Sequence, residues 1–104
     1  MSAPHEPITI EHEQTSGGGR FVYRSAGHEA ELTYALASTE NGVPRISADH
    51  SFVPDSMRGQ GIAARLTDAL VATARQEGWK IIPRCSYVVT AFRRHSEWGD
   101  VLAG

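Results

Sequence analysis

Hydrophobic and polar positions alternate along the first half of the chain. Ile8, Ile10 and His12 fall on one side of the opening segment and Thr9, Glu11 and Glu13 on the other, the two-residue period of a half-buried strand. Arg20 to Ser25 reads as a second strand, and Glu29 to Ser38 as a third with Ala30, Leu32, Tyr34 and Leu36 on one face. The run Thr15-Ser16-Gly17-Gly18-Gly19 permits positive φ and reads as a hairpin loop, since no Lys-Ser/Thr follows to make a phosphate loop of the NTPase kind. Asn41-Gly42 is a strong hairpin signal. A fourth strand, about Arg45 to Val53, is expected to turn Ile46, Ala48, His50 and Phe52 inward, with Asp49 facing opposite His50. Consecutive strands joined by short turns predict an antiparallel meander.

Beyond Pro54 the period changes. From Ile62 the apolar spacing is helical through Leu66, Ala69, Leu70 and Thr73, and Gly78 ends it. Trp79 to Ile82 predicts a fifth strand that stops at Pro83, which biases its predecessor toward extended geometry. In the segment from Ser86 to His95, the positions Val88, Ala91, Phe92 and His95 recur with helical spacing, leaving the arginines outside. Trp98 is expected to pack back on the domain. The fold class is therefore α+β, an α/β mixed sheet: a meander of about four strands followed by helix, strand and helix.

Length bounds the machinery. A chain of 104 residues makes one domain, with a core from about residue 6 to 102. Ten Lys and Arg against twelve Asp and Glu give a formal charge of -2, so neither nucleic acid nor an anionic membrane is an expected partner. The single cysteine excludes an internal disulfide framework and points to a reducing, cytoplasmic setting. The first twenty residues lack the apolar stretch of a signal peptide, and the long helix is too interrupted by polar residues to cross a bilayer. A monomer or small homo-oligomer is expected. His5, His12 and His28 have no spacing that would build a metal site with Cys85, so no metal is expected.

The junction between the fourth strand and the long helix carries the clearest chemistry. Arg58, Gly59, Gln60, Gly61, Ile62 and Ala63 would present backbone N–H groups at a helix start, suited to a phosphate or pyrophosphate, with Arg58 adding a charge-assisted contact. A glycine-rich helix entrance with a surface arginine is the competing reading. It is not a dinucleotide fingerprint, because no Gly-x-Gly-x-x-Gly follows an early strand.

Here the sequence resembles the GNAT superfamily of acetyl-CoA-dependent N-acetyltransferases, whose pyrophosphate loop reads Gln/Arg-x-x-Gly-x-Gly/Ala and appears as Arg58-x-x-Gly61-x-Ala63. The downstream segments are similar to the short YjdJ-type branch of that superfamily, with its His-Thr-x-Val-Pro, Pro-x-Cys-Ser/Pro-Tyr/Phe and His-Pro-Glu-Tyr/Trp segments. Ser51 stands in place of the threonine and keeps a hydroxyl, and Ser96 stands in place of the proline before Glu97. The resemblance implies a GNAT-like minimal fold in which acetyl-CoA is the co-substrate. It implies that the loop amides wrap the pyrophosphate and that the pantetheine arm inserts where the fourth and fifth strands splay. Val53, Arg58, Gly59, Gln60, Gly61, Ile62, Ala63, Tyr87 and Arg93 are then the expected cofactor contacts, with Tyr87 near the thioester and Arg93, Arg94 and His95 toward the adenosine phosphates.

Cys85 and His50 are the catalytic candidates. Cys85 lies just before a predicted helix, whose field favours a thiolate, and the resemblance puts it near the acetyl thioester, as acetyl acceptor or proton-transfer group. A buried small hydrophobe is the competing reading. His50 would accept a proton from an amine or from Cys85; a histidine packed in the core is its competitor. The expected function is acetyl transfer to a protein lysine or small polyamine, by direct attack or through acetyl-Cys85. Only a turn at Ser25 to Glu29 joins strands two and three, where ordinary members of the superfamily carry helices between their first strands, so the acceptor side is expected to be open. The alternative is a noncatalytic acetyl-CoA- or CoA-binding regulatory protein.

Overall fold

Alternation in the sequence becomes a five-stranded sheet in the computed structural model, which describes residues 8–103. The strands are β1 (Glu11–Thr15), β2 (Gly18–Ser25), β3 (His28–Glu40), β4 (Val43–Phe52) and β5 (Lys80–Pro83). They lie side by side in chain order. The first four form the expected antiparallel meander, and β5 joins β4 in parallel after a crossover through α1 (Ile62–Glu77). A second helix, α2 (Ser86–Arg94), follows β5, and short 3-10 turns occupy Asp55–Met57 and Ser96–Asp100.

Glycine shapes the first hairpin by close approach. The turn narrows to Ser16 and Gly17, and the next two glycines belong to β2. A Cβ on Gly18 would lie 2.3 Å from the Tyr34 carbonyl oxygen, and one on Gly19 would lie 2.5 Å from that of Glu13. The run thus works as backbone packing, and only its first member serves the loop.

One sheet face meets the helices. Ile62, Leu66, Leu70, Val71 and Ala74 form the buried stripe of α1, packed with Phe21, Leu32, Tyr34 and Ile46 into a single apolar cluster. Gly78 closes the helix in the left-handed conformation at φ 74°, donating its N–H to Ala74. Val88 and Phe92 bring α2 into the same cluster, and Trp98 folds back as expected, edge-on to Phe92 at 5.3 Å between ring centres.

Among the described residues, the opposite face carries no helix. There Arg20 bonds Glu13, Glu29 and Glu31 while Arg24 bonds Glu11, Glu13 and Glu29, so two guanidinium groups knit three strands. Beneath this grid Val22 is fully buried although it points away from the main core. Exposed ion pairs add little individually; a shared network costs less side-chain entropy per bond and excludes water from the valine.

Alternation fails at one place that matters. Thr33 pairs with His50 but Tyr34 pairs with Ala48, so Asp49 is an extra residue in β4, a β-bulge. Past it the faces exchange. His50 and Phe52, expected inward, pair with Thr33 and Glu31 on the uncovered face and are exposed. Ser51, opposite Leu32, turns to the helix side instead. A second bulge at Ala37 precedes the protruding end of β3, and Leu36 lies on the expected face but beyond the reach of α1, 49% exposed.

Leu70 is buried at the centre of the α1 stripe. Leu70→Ala should lower stability by about 2–5 kcal/mol, through lost transfer energy and the cavity left behind. Equilibrium urea unfolding checks this: the midpoint falls while the slope stays constant.

Candidate active site

The site begins where β4 loses a neighbour. Its pairing with β5 ends at Ala48 opposite Pro83, and the Ala48 carbonyl then accepts the N–H groups of both Arg84 (3.0 Å) and Cys85 (2.9 Å). From that point β4 runs on beside β3 alone, and a wedge opens between it and the chain entering α2. This is the splay expected between the fourth and fifth strands.

Cys85 sits at the apex. It precedes α2 in extended conformation, and its carbonyl accepts the Val89 N–H at 2.9 Å, so its backbone is fixed on both sides. Its Sγ lies 3.1 Å from Ser51 Oγ across the wedge, and the thiol is partly buried. Burial alone would push the thiol pKa up; the Ser51 hydroxyl, followed by the backbone of Val88, Tyr87 and Ser51, outweighs it and holds the thiol below its usual value.

Next to this pair lies a cleft of about 460 Å³. Val53, Met57 and Ile62 supply its apolar wall, and Ser51 and Tyr87 border it from β4 and α2. The opposite border is the loop into α1: Arg58, Gly59 and Gly61, then Ala63 and Ala64 of the first turn. Gly61 is the helix cap at φ 73° and Gly59 has φ 80°; a Cβ at either would meet nothing within 4 Å, so the left-handed backbone is what calls for glycine here. No side chain caps α1. Arg65 N–H bonds the Gly61 carbonyl, while the amides of Ile62, Ala63 and Ala64, which precede the first intrahelical donor, have no carbonyl a turn back to accept them. Uncapped donors at the positive end of a sixteen-residue helix, bordering a cleft, form a seat for an anion.

Of the expected cofactor contacts, Val53, Arg58, Gly59, Gly61, Ile62, Ala63 and Tyr87 line this cleft. Gln60 does not; its side chain donates to the Ser56 carbonyl at 3.3 Å. Arg93 does not either, being exposed near the far end of α2. Arg58 is largely exposed and its Nε lies 3.0 Å from Asp55. His50 faces away from Ser51, so the two catalytic candidates do not meet: the partner of Cys85 is Ser51. His95 stacks on Trp98 with ring centres 4.0 Å apart and bonds Glu97, and His12 bonds Tyr34 while stacking on Phe21, so both act in packing. His5 lies outside the described residues. Among the described residues, no three His, Cys, Asp or Glu converge as a metal site, and no helix is long and apolar enough to cross a membrane.

Ser51, Met57 and Ala64 were not among the expected lining residues. The hydroxyl at Ser51 was a usable signal, because it is retained where the resemblance has threonine. Met57 is buried from a 3-10 turn that has no apolar period to reveal it.

Residues 20–101 match the family model described as GCN5-related N-acetyl-transferase. The chain belongs to that family. A GCN5-like protein from Staphylococcus aureus, solved in solution by NMR, superposes with a TM-score of 0.64 at 30% identity, over 90% of this chain and 88% of the other. The ribosomal-protein-alanine N-acetyltransferase from Brucella melitensis biovar Abortus 2308 superposes with a TM-score of 0.61 at 21% identity, a likeness of fold. The alignment takes in 86% of this chain and spans 64% of the Brucella enzyme.

The lowered thiol has a direct consequence. The rate of Cys85 alkylation by iodoacetamide should rise with pH through a midpoint below that of an unperturbed thiol, with Cys85→Ala giving no adduct by intact mass.

Proposed function

We propose that the protein transfers the acetyl group of acetyl-CoA to an amine, a protein lysine or a small polyamine, through a transient acetyl-Cys85. The observation that carries this reading is one cleft bordered by the uncapped amides of α1 and, at its other side, by Ser51, whose hydroxyl reaches Cys85 behind the cleft wall. Family membership supports acetyl-CoA as co-substrate. The cysteine and the near-equal length of the Staphylococcus protein favour the short YjdJ-type branch. The lone thiol favours a reducing, cytoplasmic setting.

The cleft suits the co-substrate: free amides and Arg58 for the pyrophosphate, open space over Gly59 and Gly61, and an apolar wall for the pantetheine arm. Acetyl-CoA, when bound, supplies an activated acyl carbon and a thiol leaving group. The Cys85 thiolate attacks that carbon, a new C–S bond forms as the old one breaks, and the departing sulfur takes a proton from Tyr87 or water. The acceptor amine then attacks acetyl-Cys85, expelling the thiolate, and its surplus proton passes to His50 or water. His50 stands on the sheet face away from the cleft, the side left to an acceptor once the cleft is filled.

Mixing the protein with acetyl-CoA and a panel of amines should release CoA above the protein-free rate, and intact mass after brief exposure should show one acetyl group, absent in Cys85→Ala. Normal turnover by Cys85→Ala moves the reading to direct attack; binding without CoA release on any amine favours the regulatory protein. His50→Gln should slow turnover by about a hundredfold while leaving formation of the acetyl adduct unchanged.

Charge at the loop gives a further check. Arg58→Ala should weaken CoA by about tenfold in calorimetry, the size of one charge-assisted contact. Asp55→Asn, which frees Arg58 and removes a like charge from the anion seat, should tighten CoA about two- to fivefold.

A further inference from the structure

Three features converge on Ser51. The bulge at Asp49 turns its side chain from the uncovered face to the helix side; its Oγ reaches Cys85 Sγ at 3.1 Å; and it lines the cleft beside Val53 and Tyr87. A cysteine that merely fills space is enclosed by apolar side chains. Cys85 packs against the edge of the apolar cluster, and its sulfur is in addition met by a hydroxyl on another element, thirty-four residues away in sequence.

We propose that Ser51 is the positioning residue for Cys85: its hydroxyl donates a hydrogen bond across the wedge to Sγ and fixes the rotamer that holds the sulfur beside the cleft residue Ser51. The proposal deepens the reading of Cys85 as acetyl acceptor and rests on it. The ionisable side chains on the surrounding elements are Asp49 and His50 of β4, Arg58 of the loop, Arg84 before the cysteine and Tyr87 after it. Burial opposes the ionised sulfur; among the causes that favour it, the Ser51 hydroxyl leads and the backbone of Val88, Tyr87 and Ser51 follows. The Ser51 hydroxyl thus acts on the thiol by direct contact. It also decides direction, because the Cys85 backbone is already fixed by Ala48 and Val89 and leaves the side-chain torsion as the remaining freedom.

The test is the pH profile of Cys85 alkylation by iodoacetamide, which needs neither acetyl-CoA nor an acceptor. In Ser51→Ala the midpoint should rise by about one pH unit, as expected when a charged acceptor loses a hydrogen bond, and Ser51→Thr should restore it. An unmoved midpoint in Ser51→Ala, with far-UV circular dichroism as in the parent, overturns the proposal. If Ser51→Ala does not fold, Ser51→Gly is read by the same two outcomes. The same variants are then exposed to acetyl-CoA. A slower adduct in Ser51→Ala, restored in Ser51→Thr, supports the positioning role. A shifted alkylation midpoint with no acetyl adduct even in the parent overturns the covalent reading of Cys85, yet leaves the effect of Ser51 on the thiol standing.

Discussion

The site depends on the carbonyl of Ala48. In a regular parallel pair each carbonyl takes one amide and the strands continue together. Here one carbonyl receives two, from Arg84 and Cys85, and the pairing ends. The next residue of β4, Asp49, is extra to the ladder, so the strand changes face just as it loses its neighbour. A gap, a sulfur at its apex and a hydroxyl turned toward that sulfur all follow from this local event.

Economy elsewhere serves the same arrangement. Both helices pack on one face of the sheet, so the core forms between α1, α2 and the strands, and the other face is left to side chains alone. The Arg20 and Arg24 grid replaces a covering layer there, burying Val22 under the aliphatic stems and paired charges of its neighbours. Among the described residues, none builds a wall beside His50 and Phe52, which are exposed on this face. A small chain thereby keeps one half of a two-sided gap enclosed and leaves the other half bare.

Much of this was legible in the sequence because local signals agreed. Leu66, Leu70 and Gly78 specify α1 by period and cap, and Asn41-Gly42 specifies a hairpin by its positive φ requirement. The loop from Arg58 to Ala63 was legible because its glycines and its position before a helix belong to one stretch of chain. The orientation of His50 was not. Strict alternation assigns every second residue of β4 to the core, and a bulge has no residue signature of its own; Asp49 looks like any outward position until its partners across the ladder are known. The Ser51–Cys85 contact was hidden for a different reason, since the two residues lie on different elements and their meeting is set by how β4 and the chain entering α2 pack.

The chain's last strand-like residues bear on assembly. The Ile81 N–H is bonded by the Val101 carbonyl and its own carbonyl by the Ala103 N–H, so Leu102 runs parallel to β5 and covers its outer side. Ile81 of β5 therefore has a neighbour on each flank, β4 on one and Leu102 on the other. Among the described residues, β1 at the other margin has a strand neighbour on one flank only, with Gln14 and Thr15 exposed. Any copy-to-copy continuation of the sheet would start from β1, three strands away from β4, and the clefts of two joined molecules would look outward from opposite ends of one long sheet.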